Sequence, residues 1–238
     1  MGETMQFEER AVAFIDVLGF KALVNEAASN PATLAQLTEL VELLSAAVPN
    51  LNSTVDQSIP RNMIPKHIYI SDCIILSAPL KDETRPSYDG LQILVMRAIQ
   101  ISHFFLKAGY LVRGGISVGK AWHTDSNVVG PAYQEAYCLE GKEINPIVVL
   151  SDSAAALWQG GSRMCLTHQG KTFVNGLFDY YIPGNSNHGV IEQTYASYTA
   201  LADKRLTENL PESAKSKWAW FSHFLASEAP EGLKWVQA

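Results

Sequence analysis

Asp16 lies in the apolar run Ala11-Val-Ala-Phe-Ile-Asp-Val-Leu-Gly-Phe20, and Asp72 in His67-Ile-Tyr-Ile-Ser-Asp-Cys-Ile-Ile-Leu-Ser77. A carboxylate at the end of a buried strand loses its hydration, at a cost on the order of 3 kcal/mol or more, unless a cation or hydrogen-bond donors replace the water. Singly, each acid reads as ordinary local structure: Asp16 caps the helix that follows it, and Asp72 fills a turn. A cap needs no second acid in an apolar hairpin. The pair therefore points to a metal site with oxygen ligands, and oxygen ligands favour Mg2+ or Mn2+.

The elements that must position these acids follow from the flanking pattern. Asp16 ends a strand at 10–17, and Gly19 opens a helix at 20–28 with apolar residues at Phe20, Leu23, Val24 and Ala27. Strand, acid, glycine turn and helix start leave backbone N–H groups beside the carboxylate, which suits a phosphate held by donors and a cation together. Asp72 falls at the turn between Tyr69-Ile70 and Ile74-Ile75-Leu76, which read as hairpin strands. Between the two acids, an amphipathic stretch opens at Pro31, runs through Leu34, Leu37, Leu40, Val41, Leu44 and Val48, and ends at 49–54.

After the hairpin, a long helix spans 88–107 and stops at Gly109. Two strands, 111–118 and 120–124, are joined at Gly119. The order strand, helix, strand, strand, helix, strand is the ferredoxin-like βαββαβ arrangement, an α+β fold, here with appended strands. A helix at 132–140, a strand at 147–150, a helix at 152–159 and strand pieces near Cys165 and Phe173 come next. Helices at 191–206 and 211–226 close the chain. Residues 1–185 form the core domain and 186–238 a helical C-terminal extension, whose Trp218, Trp220, Phe221, Phe224 and Trp235 are spaced to pack on that core.

Composition narrows the partners. The chain has 238 residues and 47% hydrophobic content, ample for a packed core. Its formal net charge of -6, with 18 scattered basic residues, argues against nucleic acid as partner. No apolar run approaches the ~20 residues of a membrane span, and residues 1–9 lack a signal-peptide core. Met1-Gly2 is not followed by the serine or threonine that myristoylation requires at the sixth position. A cytoplasmic location is expected. Cys73, Cys138 and Cys165 form no C-x-x-C pair and read as reduced core thiols, while the six histidines are dispersed.

Taken together, Phe14-Ile-Asp-Val-Leu-Gly-Phe20, Tyr69-Ile-Ser-Asp-Cys73, Val112-Arg-Gly-Gly-Ile-Ser-Val-Gly119 and Val129-Gly-Pro-Ala-Tyr-Gln-Glu-Ala-Tyr-Cys-Leu-Glu140 resemble the class III nucleotidyl cyclases. The likeness is greatest to the bacterial pyrimidine cyclases of Pycsar anti-phage defence. It implies a head-to-tail homodimer with nucleotide at the subunit interface, and two divalent ions on Asp16 and Asp72, with the carbonyl of Ile15 or Val17 as a further ligand. One ion would activate the ribose 3′-hydroxyl, and both would hold the triphosphate. Backbone N–H groups of Leu18, Gly19, Phe20 and Lys21 would cradle the β- and γ-phosphates. Arg113, charged in an apolar strand, must reach an anion, either a phosphoryl oxygen or a carboxylate such as Glu140. Gly114 and Gly115 permit close backbone approach at the interface or a strand kink.

The resemblance also has gaps. Purine cyclases carry a lysine or glutamate just before the hairpin acid, where this chain has Ile68 and Tyr69, which favours a pyrimidine base. Gln134 falls where the family has a ribose-contacting asparagine, and Cys138 where it has a transition-state arginine. Asn127 stands near the base-reading aspartate of purine enzymes. The expected activity is UTP to 3′,5′-cyclic UMP and pyrophosphate, the product being sensed by a separate effector. The alternatives are a CTP-specific cyclase, a silent nucleotide-binding domain, and an acidic scaffold in which the aspartates are only caps.

Overall fold

The computed structural model describes residues 5–228 except 56, 58 and 162, and no side chain at 188. Strand β1 (Glu8–Val17) is central and pairs antiparallel with β3 (Cys73–Pro79) on one side and β4 (Val112–His123) on the other. β2 (Lys66–Ile70) lies outside β3, giving the order β2-β3-β1-β4. Helices α1 (Phe20–Ala27) and α2 (Pro31–Ser53) connect β1 to β2, and α3 (Gly90–Lys107) connects β3 to β4. This is the expected ferredoxin-like α+β core. β4 also pairs with the two-residue β5 (Val128–Val129), and the sheet continues past β4 through β6 (Val148–Leu150), β8 (Lys171–Val174) and β7 (Cys165–His168).

Strand alternation sorts β1 between two layers. Ala11, Ala13, Ile15 and Val17 join Leu40 and Leu44 of α2 and Leu94, Ala98 and Phe105 of α3 in the main core. Val12 and Phe14 face the other way, onto Ile75 and onto Ala132 and Ala136 of α4 (Pro131–Lys142). With both faces covered, β1 reads as a nearly unbroken apolar run. By the same alternation Asp16 belongs to the α4 side.

One connection differs in kind from the sequence expectation. The strands drawn at 111–118 and 120–124 are one strand, β4, which passes through Gly119 at φ 149° opposite Arg10. Helix α2 passes through Pro49 and ends at Ser53, within the expected 49–54. Its last turn is held by Arg97, which donates to the Leu51 carbonyl (3.2 Å) and the Asn52 side chain (3.1 Å). Carbonyls satisfied from a neighbouring helix offset the bond that proline cannot make.

After the short helix α5 (Asp152–Leu157), the closing helices α6 (His188–Thr207) and α7 (Glu212–Glu228) pack on the same chain. Trp218, Phe221 and Leu225 are buried with Tyr195, Tyr198, Leu106 and Leu111, each worth about 2–3 kcal/mol of apolar burial. Trp220 stacks on Phe224 (5.1 Å between centroids) over Ile147, Val149 and Phe173. Trp235 lies outside the described residues. Among the described residues, no helix is long and apolar enough to cross a membrane.

Candidate metal and nucleotide site

Register brings the acids together. Asp16 faces Cys73 across the β1–β3 pair and Arg113 across the β1–β4 pair. Ser71 and Asp72 form the two-residue turn between Ile70 and Cys73, with Ser71 at φ 58°; a positive φ lets so short a hairpin match the strand twist. The Val17 N–H donates to the Asp72 carbonyl (3.1 Å), fixing the hairpin tip against the end of β1. Carboxylate oxygens of Asp16 and Asp72 and the Cys73 Sγ all lie within 4.8 Å of one another.

Asp16 is not the cap of α1. Gly19 occupies that position at φ 95°, a conformation that favours glycine, and no side chain caps the helix.

The Asp16 pKa is raised from 3.8 to about 7, chiefly by burial, then by repulsion from Asp72 and Glu140, with Arg113 opposing. Two of these carboxylates, Asp16 and Glu140, thus share one guanidinium. Arg113 pairs through Nη2 with Glu140, the same nitrogen lies 3.7 Å from Asp16, and Nη1 donates to the Glu143 carbonyl (2.8 Å). Cys73 does not compete as a thiolate. Burial first, then Asp16 and Asp72, push its pKa up, and the thiol is a donor within reach of Asp72 (3.5 Å) and Asp16 (3.7 Å). A protonated thiol beside two hard oxygen donors short of positive charge suits a divalent cation such as Mg2+ or Mn2+.

The remaining expected residues divide into three groups. Near the acids, Val17 is 1% exposed with its side chain in the core, so only its carbonyl is suited to the site. The Leu18 N–H already donates to the Leu111 carbonyl (2.9 Å) and is not a phosphate donor in this conformation. That correction leaves Gly19, Phe20 and Lys21, whose N–H groups belong to the first turn of α1.

Tyr69 has its pKa raised, first by burial and then by the Asp72 carboxylate, to which it lies close. It packs against the main core beneath α2 and α3, whereas its neighbour Ile68 joins the cluster on the α4 side. Gly114 and Gly115 serve this chain's own packing: a Cβ on Gly114 would lie 2.3 Å from the Phe14 carbonyl oxygen, and one on Gly115 2.5 Å from that of Ala136.

Asn127 and Gln134 are distant or outward-facing. The Asn127 carbonyl accepts from the Thr124 N–H (2.8 Å) in the loop after β4. That strand end pairs with Glu8, eight residues along β1 from Asp16, about 26 Å at the usual rise. Gln134 and Cys138 are exposed, one turn apart, on α4; Cys138 is therefore not the core thiol that was expected. Sequence reading missed Glu143, a buried carboxylate that accepts from the N–H groups of Ile144 and Asn145 (3.0 Å each) and from Lys171 (2.6 Å). Nothing in the sequence separates it from an exposed acid at a helix end.

No protein-family model matches the chain, and no curated protein matches it. Among solved structures, it is similar to the adenylyl cyclase CyaB from P. aeruginosa at 15% identity, covering 72% of this chain and 95% of that one, with a TM-score of 0.46. Similarity to the monomeric guanylyl cyclase domain of the RhoGC fusion protein from Blastocladiella emersonii is 15% in identity over 70% and 94% of the two chains, with a TM-score of 0.49. An adenylate/guanylate cyclase/hydrolase from Silicibacter pomeroyi gives 15%, 71% and 95%, and 0.45. At such values the chemistry has to be read from this chain's own residues.

Proposed function

We propose that the protein is a nucleotidyl cyclase that converts UTP to 3′,5′-cyclic UMP and pyrophosphate. The observation that carries this reading is the convergence of Asp16 and Asp72, on neighbouring strand ends, beside an uncapped helix start at Gly19. Asp16 and Asp72 would hold two divalent cations, with the Val17 carbonyl as an additional ligand. When bound, such ions lower the pKa of a ribose 3′-hydroxyl and neutralise triphosphate oxygens, so no protein base is required. The N–H groups of Gly19, Phe20 and Lys21 would bind the β- and γ-phosphates, and Arg113 would place positive charge beside Asp16, near the reacting phosphoryl group.

The pyrimidine assignment is supported by the positions where purine cyclases read the base. Ile68 is buried under the α4 side and offers no polar edge to a purine, and Tyr69, partly buried against the main core, carries a phenol in place of a charged lysine or glutamate side chain. A second copy, paired head to tail, would bring Gln134 and Asn127 to the acid end. Their exposure, and that of Tyr137 on the same helix, suits such an interface. The sequence resemblance further supports a cytoplasmic role in phage defence, with the cyclic nucleotide read by a separate effector.

The test is incubation of the purified protein with each of the four nucleoside triphosphates and Mn2+, followed by product analysis. Cyclic UMP is the expected main product, and cyclic CMP would shift the assignment to CTP. Cyclic AMP or GMP alone would refute the pyrimidine reading, and no cyclic product from any of the four would refute the enzyme. One observation favours the silent nucleotide-binding alternative: the Arg113 guanidinium is already bonded to Glu140 and to the Glu143 carbonyl. Calorimetry showing nucleotide and divalent-ion binding without pyrophosphate release would establish it.

A further inference from the structure

We infer that Glu140 is a positioning residue that holds Arg113 back from Asp16 and so keeps Asp16 available to a divalent cation. This inference rests on the metal-site reading of Asp16 and Asp72. Arg113 and Asp16 are direct cross-strand partners, and an unrestrained guanidinium there would form a full ion pair with the carboxylate. Instead Nη2 is bonded to Glu140 and lies 3.7 Å from Asp16, outside hydrogen-bond range. The other arm of the fork donates to the Glu143 carbonyl at 2.8 Å. Both restraints come from one place, the last turn of α4 and the residue after it.

That place is itself braced. The Glu143 carboxylate is buried and accepts two backbone N–H bonds from its own loop and one from Lys171, which reaches over from β8. The Glu143 carbonyl is thereby fixed in direction, and the guanidinium plane with it. The Arg113 Nε is buried without a partner, a donor left unpaired while both terminal nitrogens are pulled toward α4. A cation entering beside Asp16 meets a carboxylate that the arginine approaches but does not occupy.

Mn2+ titration calorimetry without nucleotide, on full-length protein, tests this. Glu140→Asp keeps the charge but shortens the reach by one methylene, and Glu140→Gln removes the charge. If Glu140 acts by holding Arg113, both weaken Mn2+ binding at least fivefold; wild-type affinity in Glu140→Asp would overturn the inference, leaving bulk charge as the only role. Should the Glu140 variants fail to fold, Lys171→Met removes the brace from a half-exposed side chain. A two- to threefold weaker affinity is then expected, and unchanged affinity overturns the inference. Asp16→Asn separates the two levels: if it binds Mn2+ as tightly as wild type, the metal-site reading itself fails.

Discussion

At the scale of single residues, the account turns on a carboxylate that the fold does not stabilise in its charged form. Asp16 titrates near 7 in place of its ordinary 3.8, first because it is buried and then because Asp72 and Glu140 repel its charge. The sign follows directly. A raised carboxylate pKa gives the metal-free fold stability that is full below 3.8 and is lost as pH rises through about 7. A cation binds the deprotonated form, so Mn2+ affinity should rise about tenfold between pH 6 and pH 8. Calorimetry at the two pH values checks this, and equal affinities would mean that Asp16 is already ionised at pH 6, against the raised pKa.

At the scale of elements, the site depends on how closely β4 approaches β1 and α4. Gly115→Ala drives a methyl against the Ala136 carbonyl and the Leu139 Cβ (2.6 Å), and should destabilise the protein by about 1–3 kcal/mol in chemical denaturation. Gly141, on the same helix α4, has open space around its Cβ position; Gly141→Ala should be neutral or stabilising by up to about 1 kcal/mol. Equal effects of the two changes would contradict the packing described. The same elements show what sequence could reveal. β1 and the Asp72 hairpin were legible because a lone acid in a continuous apolar run has few physical explanations. Gly119 misled, since it is a local breaker that pairing to β1 overrides. The face of Tyr69 was hidden because both sides of the sheet are apolar. The distance of Asn127 was hidden because only strand direction separates its loop from Asp16.

At the scale of the whole molecule, buried neutral histidines set an acid limit. Burial is the main cause that lowers His103 and His123 from 6.5 to about 4. His103 is bonded to Tyr198 (2.9 Å) and the Phe178 carbonyl, and His123 to Ser77 (2.7 Å). A depressed histidine pKa gives stability that is full above 6.5 and is lost as pH falls toward 4, up to about 3 kcal/mol per histidine. Thermal midpoints should drop across that window, and His103→Gln should flatten the slope; a midpoint constant from pH 7 to 4 would contradict the burial of both rings. Dimer formation belongs to this scale too, and sedimentation should show a homodimer in the presence of UTP and Mn2+. The central claim is that Asp16 and Asp72 together hold the cations that let a nucleotide cyclise. It is tested most directly by the rate of cyclic UMP formation with Mn2+ in wild type, Asp16→Asn and Asp72→Asn. Turnover in the wild type and a loss of at least about 100-fold in each variant is predicted; cyclisation that persists in either variant near the wild-type rate would contradict it.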